Sequence, residues 1–575
     1  MASAPLDDLG RHELILRAYR SGDRFCFHYT EDGHAHVGSP IILTHPGETF
    51  AIRVVDELVG NASGATMPAS KLQPCMPKMT MKYGPQRHFV GYMGHEMIER
   101  PTIATDIDVN LHMHGFEGSP NQDDVFESAL STPAHACEYV FTIPPTQPPG
   151  TYFYHPHAHG MASDEVSGGL SGMWIVEPKT PAIPKADQHA IVISYRVPFV
   201  KDYAFGRHYG ADFIAGAKRF AAMRQSTPIA FDPFDPPPQP AFEAIRAGNV
   251  RLPACGSRVM PRAAIDGVDA PATLTVPAGS TQLLRVLNAF SDSIAFLRMR
   301  DAQGHDVPLD VVGRDGVPVG GDNADPLGTY DAQNQVPVAP AGRIDVLLTL
   351  QPGQRATLYG APACTAPGDE LKIPHDYVTI VAGPPAATPE IVASRPLDRA
   401  HDATSQLVAY VRAHPALVRK RAFTYTEYFP FDATGRGLDE DWYLTETSDP
   451  NFVEKPFMAM YAPGAKMPMP TVVVKQGTIE EWYLFNTTME IHSFHIHQMS
   501  FVDLTAQGGP ERLDTTVIPF GTFLPNAREP NFPLLKPSLT KVLLDFRNVP
   551  KGTFVFHCHM LFHEDNGMMG VIKVV

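Results

Sequence analysis

The chain has 575 residues, which is too long for one hydrophobic core and predicts three or four domains. Its formal net charge of −16 at pH 7 argues against nucleic acid as a partner, and no apolar run is long enough to span a membrane as a helix. The 56 prolines and 45 glycines indicate many short strands and turns, while remaining below the proportion typical of disordered chains.

The predicted secondary structure is almost entirely β-strand. Apolar and polar residues alternate in segments such as 49–55 and 343–348, whereas few segments have a helical period. One pattern occurs three times: a glycine, an apolar strand, and an Asp or Asn nine residues after the glycine. The three pairs are Gly47 and Asp56, Gly279 and Asn288, and Gly477 and Asn486. An internal repeat of this kind predicts an all-β protein made of three similar β-sandwiches.

Two proline-rich segments predict the boundaries between these domains. Residues 178–184 form the first predicted linker, and residues 383–389 begin the second. The predicted domains are therefore 1–178, 179–388 and 389–575.

Clusters of histidine are the most specific feature of the sequence. A single His-x-His pair is a weak indication of a metal site, because most such pairs are ordinary surface or core residues. Four clusters in one chain are much harder to explain without a metal. They contain, in chain order, His112 and His114; His155, His157 and His159; His492, His495 and His497; and His557, Cys558, His559 and His563.

The last cluster has the ligand types of a blue copper centre. Cys558 is followed by His563 after five residues and by Met568 after ten. A thiolate and two imidazoles with a weak axial thioether bind copper in such a centre, so one more histidine must come from elsewhere in the chain. Because successive residues of a strand point to opposite faces, the flanking His557 and His559 can bind metal on the side away from Cys558. The motif thus predicts two metal sites joined by one short covalent bridge.

The order of these clusters resembles the multicopper oxidase family, which includes laccases, cuprous oxidases and bilirubin oxidases. Residues 150–154 before His155 are also similar to the family's Gly-Thr-x-Trp-Tyr sequence, with Phe153 in place of the usual tryptophan. The resemblance covers nearly the whole chain and implies three cupredoxin-like Greek-key β-sandwich domains. Because the clusters lie in the first and third domains, these two are expected to pack face to face, with the middle domain as a spacer.

The resemblance implies four copper ions: one type 1 (blue) ion, one type 2 ion and a type 3 pair. The type 1 ligands would be His492, Cys558 and His563, with Met568 axial; the type 2 ligands His112 and His495; and the type 3 ligands His114, His155 and His559 for one ion and His157, His497 and His557 for the other. Every ligand position of the family is filled. His159 is left over, and a place behind the ligands or at the surface is expected for it. Met569 is the alternative axial ligand, although its spacing from Cys558 would place it on the opposite strand face.

Reduction of dioxygen also requires protons, and a carboxylic acid near the copper ions is the natural donor. Asp123 stands nine residues after His114, where the family has an acidic residue, and Glu564 matches an acidic position of the bacterial members. Both are therefore candidate catalytic residues. Asp124 competes with Asp123, and either acid could instead be solvated.

The function implied by the resemblance is that of a laccase-like oxidase. Small reductants such as phenols, aromatic amines or metal ions would give single electrons to the type 1 copper through the exposed edge of a histidine ligand, and O2 would be reduced to water. Two alternatives stay open: a cuprous or other metal-ion oxidase serving copper tolerance, and an enzyme resembling bilirubin oxidase. A monomer without a nucleic acid or membrane partner is expected.

Copper loading favours an exported enzyme, although residues 1–8 lack the basic start and apolar core of a signal peptide. We therefore expect a periplasmic or secreted protein whose leader has been removed, with a cytoplasmic location as the alternative. Two methionine-rich stretches, 76–97 and 458–469, could bind Cu(I) but are more simply explained as gap-filling side chains. Besides Cys558 the chain has five cysteines, an odd number, so at least one free thiol is expected.

Overall fold

The computed structural model consists mainly of β-strands with little helix, which confirms the predicted all-β class. It describes residues 9–21, 24–31, 34–58, 109–126, 136–177, 187–195, 232–236, 238–240, 263–318, 336–366, 370–372, 374–391, 403–428, 441–449, 469–488, 490–506, 509–525 and 534–575. Within those ranges, no helix combines the length and the apolar character needed to cross a membrane. The methionine-rich stretches, except for Met469, lie outside the described residues.

The first group of strands forms two sheets that enclose a core containing Leu16, Ile52 and Trp174. Its elements are β1 (His12–Ser21), β2 (Arg24–Glu31), β3 (His34–Val37), β4 (Ile42–Thr44), β5 (Thr49–Asp56), β6 (His112–His114), β7 (Ala136–Thr142), β8 (Gly150–His155), α1 (Ala162–Gly168) and β9 (Gly172–Val176). The strand orders are β3-β2-β1-β5-β7 and β4-β9-β8-β6. Such a pair of facing sheets is a β-sandwich.

The middle group has two larger sheets around a core containing Val286, Leu297 and Ile344. Its strands are β10 (Asp187–Tyr195), β11 (Gln239–Pro240), β12 (Ala263–Ile265), β13 (Val268–Asp269), β14 (Ala272–Ala278), β15 (Thr281–Asn288), β16 (Ala295–Asp301), β17 (Asp306–Val307), β18 (Asp310–Arg314), β19 (Val317–Pro318), β20 (Val336–Val338), β21 (Arg343–Thr349), β22 (Arg355–Gly360), β23 (Ala363–Ala366), β24 (Glu370–Lys372) and β25 (His375–Pro385). The sheet orders are β13-β12-β10-β15-β21-β18-β19 and β14-β25-β22-β16-β17, with β20 also paired to β16, while β23 and β24 pair separately.

The third group encloses the largest core, which contains Trp482, Phe556 and Cys558. Its elements are α2 (Ala403–Ala413), a 3-10 turn (Pro415–Leu417), β26 (Val418–Tyr428), β27 (Asp441–Glu446), β28 (Val472–Val474), β29 (Ile479–Asn486), β30 (His492–Ile496), β31 (Phe501–Asp503), β32 (Glu511–Leu513), β33 (Thr515–Ile518), β34 (Thr522–Leu524), β35 (Leu534–Lys536), β36 (Ser538–Asp545), β37 (Gly552–His557), α3 (Leu561–Asp565) and β38 (Met569–Val574). The sheet orders are β27-β26-β29-β36-β31-β32 and β28-β38-β37-β30-β33, and a small sheet β11-β35-β34 connects this group to the middle one.

The threefold sequence repeat corresponds to one structural unit. β5, β15 and β29 each have eight residues, and each begins two residues after a repeat glycine. Each of the three strands pairs in parallel with the first long strand of its group and antiparallel with a later one. The repeat glycines have φ angles of +85°, +77° and +91°, which disfavour other residues at this turn. The polar residue that ends each strand accepts the backbone N–H two residues later, which explains the Asp or Asn.

The segment predicted to begin the second linker is partly strand. β25 continues to Pro385, which lies opposite Ala278 beyond a register shift. Glu390 is also tied to the middle group, because its carbonyl accepts the Thr281 N–H at 2.8 Å. The first predicted linker lies outside the described residues, and the domain boundaries stay predictions.

The middle group contacts both of the others through β15. Every residue of this strand is buried, because its two faces pack against different partners. Val286 faces the core of its own group, whereas Leu287 belongs to a small apolar cluster with Phe153 of the first group and Leu561 of the third. This cluster marks the place where the three groups meet.

Candidate metal centres

Two pairs of antiparallel strands position most of the histidines. In the first group, β6 pairs with β8 so that His112 lies opposite His155. In the third group, β30 pairs with β37 so that His495 lies opposite His557. All four side chains are buried, with at most 1% exposure. In β6 the alternation of His-x-His places His112 and His114 on one face, whereas β8, β30 and β37 end at His155, Ile496 and His557.

The two histidine faces meet each other in the interior. The ring of His112 stacks on that of His497, with centroids 3.8 Å apart and planes 11° apart. The ring of His114 stacks on that of His495, also at 3.8 Å and with planes 14° apart. His559 approaches the same place, with its ring centroid 4.9 Å from that of His114. The first and third groups thus pack face to face here, and they share one histidine cluster.

Three histidines of this cluster converge on a common point. The Nε2 atoms of His157 and His497 each lie 3.2 Å from Nε2 of His557. Three nitrogens bound at about 2 Å to one ion with tetrahedral angles would be about 3.3 Å apart. The three nitrogens therefore fit a metal ion between them.

Other ring nitrogens have no hydrogen-bond partner among the described residues, although they are buried. They are Nε2 of His112, His155 and His495, Nδ1 of His114, and both ring nitrogens of His559. A buried polar atom without a partner carries a large desolvation cost, which a bound metal ion would remove. The histidine cluster therefore fits the copper ions that the ligand pattern predicts.

The opposite ring nitrogens of His112, His114 and His495 are held by protein groups, as in most metal-binding histidines. Nδ1 of His112 lies 2.9 Å from Asp123 Oδ2, and Nδ1 of His495 lies 2.6 Å from the Asp514 carbonyl oxygen. Nε2 of His114 lies 3.1 Å from Asp514 Oδ1. These contacts fix which nitrogen of each ring faces the cluster. The ligand groups overlap in space, so distances alone do not separate the type 2 set from the type 3 sets.

Burial keeps several of these imidazoles neutral, among them those of His112, His155 and His497. Loss of solvent contact is the largest cause, and the neighbouring histidines add to it; together they lower the pKa of His112 and His497 well below its ordinary value. Burial lowers the pKa of His155 to about 3. Only neutral imidazole binds metal, so the cluster is competent for ligation at neutral pH.

A second buried ligand group lies on the other side of residues 557–559. Sγ of Cys558 lies 3.8 Å from Nδ1 of His492 and 3.7 Å from Nδ1 of His563, and the two Nδ1 atoms are 3.0 Å apart. The Ser493 N–H donates to the sulfur at 3.5 Å. Burial raises the pKa of the Cys558 thiol to about 12, so a metal ion is needed to hold it as thiolate at neutral pH. Thiolate and two imidazoles in this arrangement fit a blue copper ion.

The two methionines near the C-terminus are buried on different sides. Met568 belongs to the same core cluster as Cys558, and its carbonyl oxygen accepts the Cys558 N–H at 3.0 Å. Met569 instead packs with Val125 and Phe126 of the first group. The packing supports Met568 as the axial ligand.

The sequence led us to expect an exposed histidine edge in the Cys558 group, but the rings of His492 and His563 are both buried. His492 is fully buried and His563 is 1% exposed. The ring of Trp442 stacks on that of His563 at 3.9 Å, and Oε2 of Glu490 lies 3.6 Å from His563 Nε2. The expectation of an exposed histidine edge is therefore wrong, because an indole and a carboxylate cover it.

The two candidate proton donors lie against different histidines. Besides its contact with His112, Asp123 accepts the Met113 N–H at 3.0 Å and a Gln498 side-chain N–H at 2.8 Å. Burial raises the pKa of Asp123 well above its ordinary value. Asp124 accepts the Phe126 N–H, which favours Asp123 of the two acids.

Glu564 is completely buried between two histidines of the cluster. Its carboxylate oxygens lie 3.0 Å from Nδ1 of His557 and 3.4 Å from Nδ1 of His157. His159 lies behind the cluster, where its ring makes an edge contact with that of His157 at 5.4 Å. Burial lowers the pKa of His159 to about 3.

A buried arginine of the middle group supports the histidine cluster, and no motif in the sequence predicts this role. Arg343 is 1% exposed and donates to both carboxylate oxygens of Asp514, at 2.8 and 2.5 Å. It also donates to the backbone carbonyls of Thr151 at 3.0 Å and of Ala341 at 2.8 Å. The middle group is thus more than a spacer. The sequence signal for Arg343 was its charge at the start of the apolar strand β21, but charged residues at the ends of strands are usually solvated.

The cysteines are partly described. Cys26 is a free thiol, as expected for at least one cysteine, whereas Cys137 is disulfide-bonded. Cys75 and Cys255 lie outside the described residues.

Comparison with known proteins gives matches at both ends of the chain. Two family models described as multicopper oxidase match residues 104–181 and 443–575. The multicopper oxidase mco of Staphylococcus aureus is 34% identical over 99 residues, which are 16% of this chain and 20% of that protein. The protein of the same name from Staphylococcus haemolyticus is 37% identical over 83 residues, or 14% of this chain and 16% of that protein. The matched segments therefore span a fifth or less of these relatives.

Solved structures match over nearly the full length. The McoA multicopper oxidase of Aquifex aeolicus is 16% identical, with a TM-score of 0.59, and the match covers 100% of this chain and 99% of that one. The laccase-like multicopper oxidase CueO from Ochrobactrum sp. is 18% identical, with a TM-score of 0.58 and complete coverage of both chains. At these identities the likeness shows the fold, with its cupredoxin-like domains. The two segments that carry the candidate ligands, 104–181 and 443–575, match multicopper oxidase family models, so these segments are similar to a family of copper-containing oxidoreductases.

Proposed function

We propose that this protein is a laccase-like oxidase that holds four copper ions and couples one-electron oxidation of small reductants to the reduction of O2 to water. One observation supports this most directly. Cys558 belongs to one buried ligand group, and its sequence neighbours His557 and His559 belong to the other. A short covalent path between two metal groups suits transfer of single electrons from one to the other.

The proposed ligand roles follow the family pattern onto the observed groups. His492, Cys558, His563 and Met568 would hold type 1 copper; His112 and His495 type 2 copper; and His114, His155 and His559, with His157, His497 and His557, the type 3 pair. Bound copper would supply the redox chemistry, while the chain sets geometry, excludes water and supplies protons.

Asp123 and Glu564 are the proposed proton donors. Because burial raises the pKa of Asp123 well above its ordinary value, its carboxyl group retains a proton where a solvated aspartate would be charged. Asp123 lies next to His112, and Glu564 lies next to His157 and His557. The two acids would therefore deliver protons at two places on the histidine cluster.

The reductant is proposed to approach the Cys558 group beside Glu490. This residue lies against the Nε2 edge of His563, and its side chain is 17% exposed. A carboxylate there can accept a hydrogen bond from a phenol or an aromatic amine. It also suits a metal cation, which favours a metal-ion oxidase as the second candidate function. Comparing kcat/KM for a dimethoxyphenol, bilirubin, Cu(I), Fe(II) and Mn(II) separates these functions.

The copper content and colour of two variants test the proposal. The purified, copper-loaded protein should bind four coppers and show an intense blue thiolate-to-copper band. Cys558→Ser should lose the band, because serine removes the thiolate. The matched variant His495→Gln should keep the band but lose O2 consumption, because its ring faces only the histidine cluster.

A colourless copper-loaded protein, or one that binds a single copper, would refute the proposed function. Loss of the blue band in His495→Gln with O2 consumption intact would show that the two sites are assigned in reverse.

A further inference from the structure

Three chain segments meet at one buried carboxylate. Asp292 lies in the loop between β15 and β16 and is 6% exposed. Its Oδ1 accepts the Phe562 N–H at 2.8 Å, and its Oδ2 accepts hydroxyl hydrogens from Ser163 at 3.0 Å and Ser291 at 2.5 Å. The first, middle and third groups are thus joined through the two oxygens of one side chain.

The Phe562 contact lies in the first turn of α3, the helix that carries His563. The residue before this helix, Met560, makes no side-chain capping bond. The middle group supplies the missing acceptors: Asp292 accepts the Phe562 N–H, and the Ser291 carbonyl accepts the Leu561 N–H at 2.9 Å. A carboxylate is a strong acceptor for such terminal N–H groups.

The third group in turn caps a helix of the first group, because Asp565 accepts N–H groups at the start of α1. α1 also lacks a side-chain capping bond from its preceding residue, Met161. Asp565, the last residue of α3, accepts the Gly160 N–H at 2.7 Å and the Ser163 N–H at 2.9 Å. Ser163 then donates its hydroxyl to Asp292, which closes the connection. α3 is therefore held at both ends by other parts of the chain.

This arrangement bears directly on the Cys558 group. α3 has only five residues and lies between Cys558 and Met568, so a shift of its first turn moves His563 relative to the sulfur. A helix of this length has little stability of its own, and its position depends on tertiary contacts. The apolar contact of Leu561 with Phe153 and Leu287 fixes the helix against sliding, but Asp292 fixes its polar end.

We propose that Asp292 is a positioning residue for the type 1 copper ligand His563, which it holds in place from the middle group by capping α3. The inference rests on the type 1 site of the proposed function. It assigns the middle part of the chain, which contributes no ligand in the proposed scheme, a direct part in setting the geometry of the blue centre. Partners that orient metal ligands typically contribute tenfold to a hundredfold to metal affinity, so an effect of about that size is expected.

The test compares Asp292→Ala with Asp292→Asn in the full-length, copper-loaded protein. The alanine variant removes the acceptor for the Phe562 N–H, whereas asparagine retains one oxygen there. We expect Asp292→Ala to change the type 1 EPR hyperfine splitting and the blue band, and to lose type 1 copper to a chelator about tenfold to a hundredfold more readily. Asp292→Asn should stay close to the parent protein in both measurements.

Glu511→Gln provides a matched control for general damage to a buried junction. Glu511 is 8% exposed and joins the third group to Arg314 of the middle group at 2.8 Å, away from α3. This variant should lower the unfolding temperature without altering the type 1 spectrum. If Asp292→Ala behaves in the same way, Asp292 has only a structural role and the proposal is overturned.

A variant that fails to fold does not end the test. Asp292→Glu keeps the charge but moves the acceptor oxygens by one methylene, so it should perturb the type 1 spectrum if the cap matters. An unchanged spectrum and unchanged copper retention in Asp292→Glu would also overturn the proposal. Absence of a blue band in the parent protein would instead count against the proposed function and not against the role of Asp292.

Discussion

Replacing Arg343 with methionine should destabilise the protein strongly while leaving its surface unchanged. The guanidinium group is completely buried and makes four hydrogen bonds, two to Asp514 and two to backbone carbonyls. Methionine fills much of the space but leaves the Asp514 carboxylate without its ion pair. Removing one partner of a buried ion pair costs about 3–5 kcal/mol, so a loss of that size in unfolding free energy is expected.

The site should respond as well as the stability. The pKa of Asp514 is raised above its ordinary value because the carboxyl group is buried, and the nearby charge of Arg343 opposes this rise. Without Arg343 the Asp514 carboxyl group should therefore take up a proton more readily, which alters its contact with Nε2 of His114. The histidine cluster should retain copper less well, whereas the Cys558 group should keep its spectrum.

Denaturant unfolding of the metal-free protein measures the stability change, and copper analysis measures the retention. Arg300→Met is the matched control, because Arg300 makes a similar two-bond pair with Asp376 at 2.7 and 2.6 Å. Those two side chains are 34% and 37% exposed, so the control should change stability by no more than about 1 kcal/mol. If Arg343→Met costs no more than Arg300→Met, the reasoning from burial is refuted.

Two further predictions concern the type 1 ligand and pH. Met568→Leu should raise the type 1 potential, because a weak thioether donor that favours Cu(II) is lost, whereas Met569→Leu should not; a redox titration showing the reverse would contradict the axial assignment. The metal-free protein should lose stability as pH falls below about 6.5. In that range the histidines of the unfolded chain bind protons, whereas the buried histidines of the folded protein stay neutral. Burial lowers the pKa of five histidines, so each of them adds a slope approaching about 1.4 kcal/mol per pH unit below that value; they are His112, His114, His157, His495 and His497. Denaturant unfolding at pH 5 to 8 measures the slope, and a flat profile would contradict the predicted burial of neutral imidazoles.

The strands could be predicted, and candidate metal-binding residues could be named, because their signals are local. A glycine with positive φ and a polar residue nine positions later recur in the sequence, and both have a direct conformational cause. The ligand motifs are equally local, because their spacings can be read directly from the sequence, although β37 ends at His557 and Cys558 lies just beyond it.

The supporting contacts could not be predicted, because their partners are distant in sequence. Arg343 and Asp514 are 171 residues apart, and Asp292 and Phe562 are 270 apart. A single charged residue in a sequence gives no sign that its partner is buried with it. The wrong expectation of an exposed histidine edge has the same origin, because the indole of Trp442 that covers His563 comes from the separate strand β27.

The histidine cluster also constrains the order in which the molecule can be made. His157 and His557 face each other across a separation of 400 residues, and closing a flexible loop of that length costs about 5 kcal/mol of chain entropy. During synthesis, the first group can fold while its partner histidines do not yet exist. Its own histidines, such as His112, then form only half of a binding site and hold metal loosely. The proposed complete copper binding is therefore expected among the last events of maturation, and bound copper would link the two ends of the chain against unfolding.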